Sequence, residues 1–423
     1  MENISKFRVV SRMLRSGGAA IHMLLAGDKI QFLVGESSRV IQPNPLMPFD
    51  DLVCDFLSAL SIELLSDAQA KLYPDIISFA YWCRKANIER LKDLYSDRHF
   101  RLGLGITFHI TPSNVPINFV FSYVFSLLAG NANIVRVPSK DFPQTDIVCK
   151  AINRLFKNAK YEIISKMTAF VKYEQNDEVT RMYSSGCNAR IIWGGDDAIR
   201  NIRKIPIPER GIEIAFADRY SFCIIEENAI LNLSDVALRK LVTNFYNDTY
   251  LMDQNACSSP HLIVWLYNGT SSSEAKRKFW ESVYEMTHAK YELQPVSAID
   301  KYTLLCENAI ELNNIANFEK WGNYLYCMEL KSLPENMDHL RGKSGFFYEY
   351  NTKDINNVAH IVNTKYQTLT YFGIDRLQLV NFVLKNRLTG IDRIVPLGSA
   401  LDIGVVWDGH DLVKGLSRII DCK

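Results

Sequence analysis

From Phe100 to Trp193 short apolar runs alternate with longer amphipathic segments, and this rhythm constrains the fold more than any other feature of the chain. Strand-like runs at 104–110, 134–137, 168–171 and 190–193 are spaced by helix-like segments at 117–128 and 142–156. Such alternation implies a mostly parallel sheet with helices on both faces, hence an α/β class. One strand runs into the turn Thr111-Pro112-Ser113-Asn114 and the next into Val137-Pro138-Ser139-Lys140. Adjacent strand ends that face one crevice are the usual ligand position in an open α/β sheet.

A chain of 423 residues exceeds what one hydrophobic core usually serves, so two domains are expected. In Ile205-Pro206-Ile207-Pro208-Glu209-Arg210-Gly211 each proline removes a backbone donor and biases its predecessor towards extended geometry, as in a linker. The reading is an N-terminal segment plus a first domain over 1–210, a second domain over 211–395, and a C-terminal segment over 396–423 packing back on the first domain. Upstream, 7–45 reads as short strands and turns, and 49–65 and 74–95 as amphipathic helices. Downstream come a strand pair near 212–225, a helix near 235–246, a strand at 261–266 and a helix at 273–291.

An apolar fraction of 48% and a charged fraction of 22% are ordinary for a soluble globular protein. The formal net charge of +1 gives no electrostatic footprint for nucleic acid, so small molecules or proteins are the expected partners. Nine cysteines with no paired spacing read as reduced thiols of a cytosol-like compartment. The start of the chain lacks signal-peptide character, and its longest apolar stretch, 119–129, is too short to span a bilayer, so a cytoplasmic location is expected.

Two apparent motifs fail. Gly103-Leu104-Gly105 would need its third glycine where Phe108 stands, and Gly342-Lys343-Ser344 would need a P-loop glycine at Met337. No histidine has metal-ligand spacing, so no metal is expected. Cys54, Cys83, Cys149, Cys223, Cys306 and Cys327 adjoin apolar residues and read as small buried hydrophobes. Cys257 differs. It lies among small and polar neighbours in Asp253-Gln254-Asn255-Ala256-Cys257-Ser258-Ser259-Pro260, at an element junction where a substrate can reach a thiol. Asn114 suits a turn or a helix cap equally well. Trp193-Gly194-Gly195-Asp196-Asp197 ends a strand and opens a helix, where glycines admit a pyrophosphate and the aspartates can act as N-caps.

Thr111 to Asn114, the Gly130-Asn131 turn, Val137 to Lys140 and, far downstream, Gln254-Asn255-Ala256-Cys257 resemble in order the signature blocks of the aldehyde dehydrogenase superfamily. Phe79-Ala80-Tyr81-Trp82-Cys83-Arg84-Lys85-Ala86-Asn87, His109 to Asn114, Asn131 to Lys140 and Gly390-Ile391-Asp392-Arg393-Ile394-Val395-Pro396 carry a narrower resemblance to the LuxC-type acyl-CoA reductase family. The resemblance implies an aldehyde-dehydrogenase-like fold of two α/β domains. It implies reduction of a fatty acyl thioester, acyl-CoA or acyl-protein, to the aldehyde, with Cys257 as nucleophile and Asn114 as oxyanion donor. Gln254, Ser258 and Ser259 are then expected to wall the thioester site.

The resemblance places the cofactor on Thr111, Pro112, Ser113, Arg136, Ser139, Lys140, Gly194 and Gly195. Where oxidising relatives carry an acidic residue for the ribose hydroxyls, this chain has Lys140; a cation there favours a 2′-phosphate and NADPH, although a solvated surface charge is the alternative. Glu213 lies near the position of the water-activating base of oxidising relatives. An acyl-transferring or acyl-protein synthetase partner and a homo-oligomer are further implications. The competing readings are an NAD(P)-dependent aldehyde dehydrogenase releasing acid, and a non-catalytic scaffold for an acyl-transfer partner.

Overall fold

The computed structural model describes residues 21–22, 30–35, 40–113, 115–269 and 273–423, which divide into two compact units, 1–217 with 410–423 and 218–409. The unit limits thus fall at 217/218 and 409/410, against 210/211 and 395/396 in the sequence reading.

The first unit is built on a six-stranded sheet: β1 (Gln31–Val34), β2 (Ile106–Ile110), β3 (Ala132–Arg136), β4 (Thr168–Lys172), β5 (Ala189–Trp193) and β6 (Ile212–Phe216). Its spatial order is β1-β4-β3-β2-β5-β6, with β1 antiparallel to β4 and every other pair parallel. The five parallel strands therefore run 3-2-1-4-5 in their own chain order, the doubly wound order 3-2-1-4-5-6 short of its sixth strand, with the order reversing between β2 and β5.

Helices α1 (Asp51–Ser66), α2 (Pro74–Trp82) and α3 (Lys85–Asp93) precede β2; α4 (Asn118–Leu128) and α5 (Pro143–Leu155) follow β2 and β3, and α6 (Asp177–Ser185) and α7 (Asp196–Arg203) follow β4 and β5. The 74–95 segment, expected as one helix, is two. Arg84 is extended (φ −59°, ψ 143°), and Asn87 Nδ2 donates to the Trp82 carbonyl at 2.7 Å, closing the end of α2. Every residue of α4 from Phe119 to Leu128 is buried, as its apolar and serine composition on all sides requires. Ser417–Ile419 pairs antiparallel with Arg101–Gly103, so the last residues of the chain complete this unit.

The second unit holds a seven-stranded sheet of β7 (Tyr220–Glu226), β8 (Pro260–Leu266), β9 (Ile315–Trp321), β10 (Leu325–Leu330), β11 (Phe346–Thr352), β12 (Tyr366–Phe372) and β13 (Arg393–Pro396), ordered β9-β10-β11-β8-β7-β12-β13. The β9–β10 hairpin is antiparallel and the remaining pairs are parallel. Alternate residues feed two cores. Phe222, Ile224, Leu262, Val264 and Tyr348 face one; Cys223, Ile225, Ile263, Trp265 and Phe347 face the other, which α8 (Asp235–Thr249) and α9 (Ser273–Lys290) supply with Phe245, Phe279 and Trp280. Helices α10 (Pro295–Glu311) and α11 (Arg376–Lys385) complete the unit.

The strand pair expected near 212–225 does not form: β6 ends the first sheet and β7 lies inside the second. Their burial explains the split. β7 is buried on both faces along nearly its whole length, as a central strand must be, whereas β6 is only half covered.

Candidate active site

Cys257 lies in the connection between α8 and β8. After α8 a single 3-10 turn, Tyr250–Met252, delivers the chain into two successive left-handed residues, Asp253 (φ 51°) and Gln254 (φ 61°). Residues with a Cβ resist this conformation by about 1–2 kcal/mol each, so the turn needs external support. The Gln254 side chain supplies it. Buried, it donates from Nε2 to the carbonyls of Pro260 (3.1 Å) and Phe346 (2.9 Å) and accepts from the Gly345 N–H at 3.1 Å. The Asp253 carbonyl accepts from the Ser344 N–H at 3.1 Å, and its carboxylate accepts from the Tyr291 hydroxyl at 2.6 Å.

Beyond the turn, the Ser221 hydroxyl of β7 donates to the Cys257 carbonyl at 2.7 Å and accepts from the Thr368 N–H at 3.1 Å. The Ser259 hydroxyl donates to the Asp248 carbonyl at 2.7 Å. The backbone is thereby fixed on both sides of Cys257, an exposed residue. Gln254, Ser258 and Ser259, expected as walls of the site, are buried, and the Gln254 and Ser259 side chains hold the loop.

Packed protein around Cys257 raises its thiol above the ordinary range; a hydrogen bond from the Arg219 backbone N–H opposes this, Asp218 and Asp408 add to it, and Arg341 opposes it. These charges are paired, Arg341 with Asp218 at 2.9 Å and Arg219 with Asp408 at 3.3 Å. His261 is buried, donates from Nδ1 to the Gly342 carbonyl at 3.0 Å, and is pushed by burial down to about 3, which keeps it neutral. None of these partners was legible beforehand. Ser221 stands 36 residues upstream of Cys257 and reaches it only because β7 and β8 are neighbours.

Burial does not single out this thiol. Cys83, Cys149, Cys187, Cys223 and Cys327 are buried and Cys54 partly so, but Cys306, expected as a buried hydrophobe, is exposed on α10, as is Cys422 near the chain end.

The residues expected to hold a cofactor gather in the first unit at the carboxyl ends of its strands. Thr111 Oγ1, after β2, donates to the Arg136 carbonyl of β3 at 2.6 Å, tying two strand ends together. Pro112 and Ser113 continue that turn; Asn114 lies outside the described residues. The Arg136 guanidinium is engaged with Tyr173, 4.5 Å from the ring and donating to its carbonyl at 3.3 Å. Ser139 is half-buried, and Lys140 is exposed with its ammonium over the Phe142 ring.

Gly194 and Gly195 follow β5 across the point where the strand order reverses. A Cβ on Gly195 would meet nothing within 4 Å, and Gly195 caps α7 without a side chain. Beside them Trp193 stacks on Phe216 at 3.8 Å, and its indole N–H donates to Ser122 Oγ at 2.9 Å. Ser122 also bonds His109 Nδ1 (2.7 Å), and His109 Nε2 meets Asn133 Oδ1 (3.0 Å). Since a carbonyl oxygen only accepts, Nε2 carries the proton and the serine hydroxyl donates to Nδ1. Burial pushes His109 down to about 4, in keeping with a neutral ring.

Glu213, the candidate base, has both carboxylate oxygens committed. Arg190 binds one through Nε (2.8 Å) and Nη2, and Arg203 Nε binds the other at 2.7 Å. Among the described residues no group of three or more His, Cys, Asp or Glu could hold a metal ion, and no helix is long and apolar enough to cross a membrane.

The sequence profile of the family described as Acyl-CoA reductase (LuxC) matches residues 89–300. The long-chain acyl-protein thioester reductase of Aliivibrio fischeri is 26% identical over 166 residues, which cover 38% of this chain and 32% of that protein. The match thus spans about a third of the relative's length. Among solved structures, an NAD-dependent benzaldehyde dehydrogenase from Corynebacterium glutamicum superposes with a TM-score of 0.57 at 12% identity, covering 93% of this chain and 94% of that one. The glyceraldehyde-3-phosphate dehydrogenase GapN from Methanocaldococcus jannaschii, complexed with NADP, gives 0.56 at 14% identity over 93% and 98%. Aldehyde dehydrogenase 21 from Physcomitrella patens gives 0.59 at 10% identity over 87% and 84%. The fold is that of the aldehyde dehydrogenases.

Proposed function

Because the chain belongs to the acyl-CoA reductase (LuxC) family, we propose that it reduces a fatty acyl thioester, carried on coenzyme A or on a protein, to the aldehyde by way of S-acyl-Cys257. The observation that carries this reading is the Cys257 loop itself, an exposed cysteine that follows a strained turn and is held in place through Gln254 and Ser221.

The Cys257 thiolate adds to the thioester carbonyl carbon, and the carrier leaves as its thiolate. We assign the oxyanion to the Cys257 backbone N–H and, from the family resemblance, to the Asn114 amide. A nicotinamide dinucleotide, when bound, supplies the hydride that reduces the acyl group. The resulting thiohemiacetal on Cys257 collapses to aldehyde and thiolate. In sum, one thioester, one reduced dinucleotide and one proton yield one aldehyde, one carrier thiol and one oxidised dinucleotide.

The residues of the first unit fit a dinucleotide. Its sheet has the strand order that binds one, the backbone at Gly195 is open to a phosphate, and Thr111 ties the ends of β2 and β3 beside it. With Arg136 engaged by Tyr173, Lys140 is the cation we assign to a 2′-phosphate, which makes NADPH the proposed donor. A reductase needs no water-activating base, and we assign Glu213 to the ion pairs it makes.

The test supplies a long-chain acyl-CoA with NADPH or NADH and measures the product. Aldehyde formed preferentially with NADPH, lost in Cys257→Ser and losing its NADPH preference in Lys140→Glu, is the expected result. Carboxylic acid formed from an aldehyde without coenzyme A, or aldehyde formation by Cys257→Ser, contradicts the proposal.

A further inference from the structure

One buried cation in the second unit has no place in the mechanism above. Lys301, on α10, is 1% exposed, and its ammonium donates to the Ser344 carbonyl at 2.7 Å and to the Asn323 carbonyl. The other groups facing it are Lys320 on β9, which repels it, and the Tyr326 ring of β10, 5.3 Å away; among the described residues no carboxylate acts on it. A buried lysine without a carboxylate is a costly anchor, and an apolar side chain of similar length would fill the same volume with no charge to desolvate.

What this lysine grips explains its presence. Ser344 (φ 51°) and Gly345 (φ 92°) form a left-handed turn packed so closely that a Cβ on Gly345 would lie 2.3 Å from the Tyr324 carbonyl and 2.5 Å from the Tyr250 hydroxyl. The two residues of that turn hold the strained pair before Cys257, the Ser344 N–H on the Asp253 carbonyl and the Gly345 N–H on Gln254 Oε1.

We propose that Lys301 is a positioning residue for the Cys257 thiol, holding through the 344–345 turn the left-handed Asp253–Gln254 pair from which the cysteine loop departs. This rests on Cys257 being the acyl acceptor. Burial lowers the ammonium to about 7. Below that pH it binds the two carbonyls through charge-assisted hydrogen bonds. Above it the neutral amine keeps two donors but loses the charge, and such bonds are roughly half as strong. The grip on the loop slackens as pH rises through about 7.

The experiment measures alkylation of Cys257 by iodoacetamide, read by peptide mass spectrometry from pH 6 to 9, in the full chain and in Lys301→Met and Lys301→Arg. Exposed Cys422 is the internal reference. A simple thiol below its pKa gains about tenfold in rate per pH unit as its thiolate fraction grows. The expected wild-type profile departs from that slope near pH 7 at Cys257 but not at Cys422. Lys301→Met shifts the Cys257 rate at pH 6 by at least about fivefold, and both variants lose the departure. Rates in Lys301→Met equal to wild type throughout overturn the proposal; so does a wild-type profile of constant slope through pH 7, which decides the matter even if Lys301→Met does not fold. Parallel incubation with labelled acyl-CoA separates the two ideas: no acyl label on wild-type Cys257 counts against the proposed function, while an altered alkylation profile still supports the role of Lys301.

Discussion

Cys257 is set apart from the other cysteines by what holds it. Three of the nine are exposed, but Cys257 is the one whose carbonyl is clamped by a serine hydroxyl and whose approach is fixed by two consecutive left-handed residues. The sequence hinted at this through the small and polar neighbours of the thiol. It could not show that Gln254 is an anchor, because that role depends on Phe346 and Gly345, about ninety residues away in sequence and brought close only by the neighbouring strands β8 and β11. Asn114 is the residue whose proposed role rests most on family resemblance. Removing one oxyanion donor typically costs on the order of a hundred- to a thousand-fold in rate. Asn114→Ala should therefore slow acyl transfer to Cys257 by about that factor while leaving the thermal transition in place, and rapid-quench acylation with a parallel melting curve checks it. Unchanged acylation would remove Asn114 from the mechanism.

At the scale of elements, the end of α8 organises two loops at once. Its Asp248 carboxylate accepts from the N–H groups of Gly398 (2.6 Å) and Ala400 (2.9 Å), while its carbonyl accepts from Ser259 in the cysteine loop. Arg393 grips the same 398–402 segment from the carbonyl side, donating to Ser399, Ala400 and Asp402 and lying 4.4 Å from the Trp407 ring. The Gly390 to Pro396 block was legible as a motif, but its work, placing one arginine under a loop, was not. Burial raises Asp248 from 3.8 to about 6, against two backbone N–H bonds that lower it. The native chain therefore holds this proton more tightly than the unfolded chain, and stability falls as pH rises between those values. From pH 5 to pH 7 the wild type should lose about 1 kcal/mol relative to Asp248→Asn, seen as a pH-dependent gap between their denaturant midpoints. A gap that does not change with pH would show that Asp248 titrates normally. The element boundaries that escaped the sequence reading have equally local causes: the extended backbone at Arg84 and the Asn87 cap that divide α2 from α3, and the different burial of β6 and β7.

At the scale of the whole molecule, the strand and helix alternation of 100–193 was enough to read a parallel sheet, and the structure adds its 3-2-1-4-5 order, which supports the proposed dinucleotide site at its carboxyl edge. The return of residues 410–423 to the first unit is carried by the pairing of Ser417–Ile419 with Arg101–Gly103; a C-terminal segment packing back was an expectation of the sequence reading, but no local pattern gave this pairing or its register. The residues proposed for a dinucleotide thus lie in one unit and the clamped cysteine in the other. That division makes the account testable in halves, since acyl transfer to the thiol needs no hydride donor. The most direct measurement incubates the full chain with a labelled long-chain acyl-CoA in the absence of any nicotinamide dinucleotide, then locates the label by peptide mass spectrometry. A single acyl group on Cys257, discharged as aldehyde when NADPH is added, is the predicted result; a chain that stays unlabelled, or carries its label on another residue, contradicts the account.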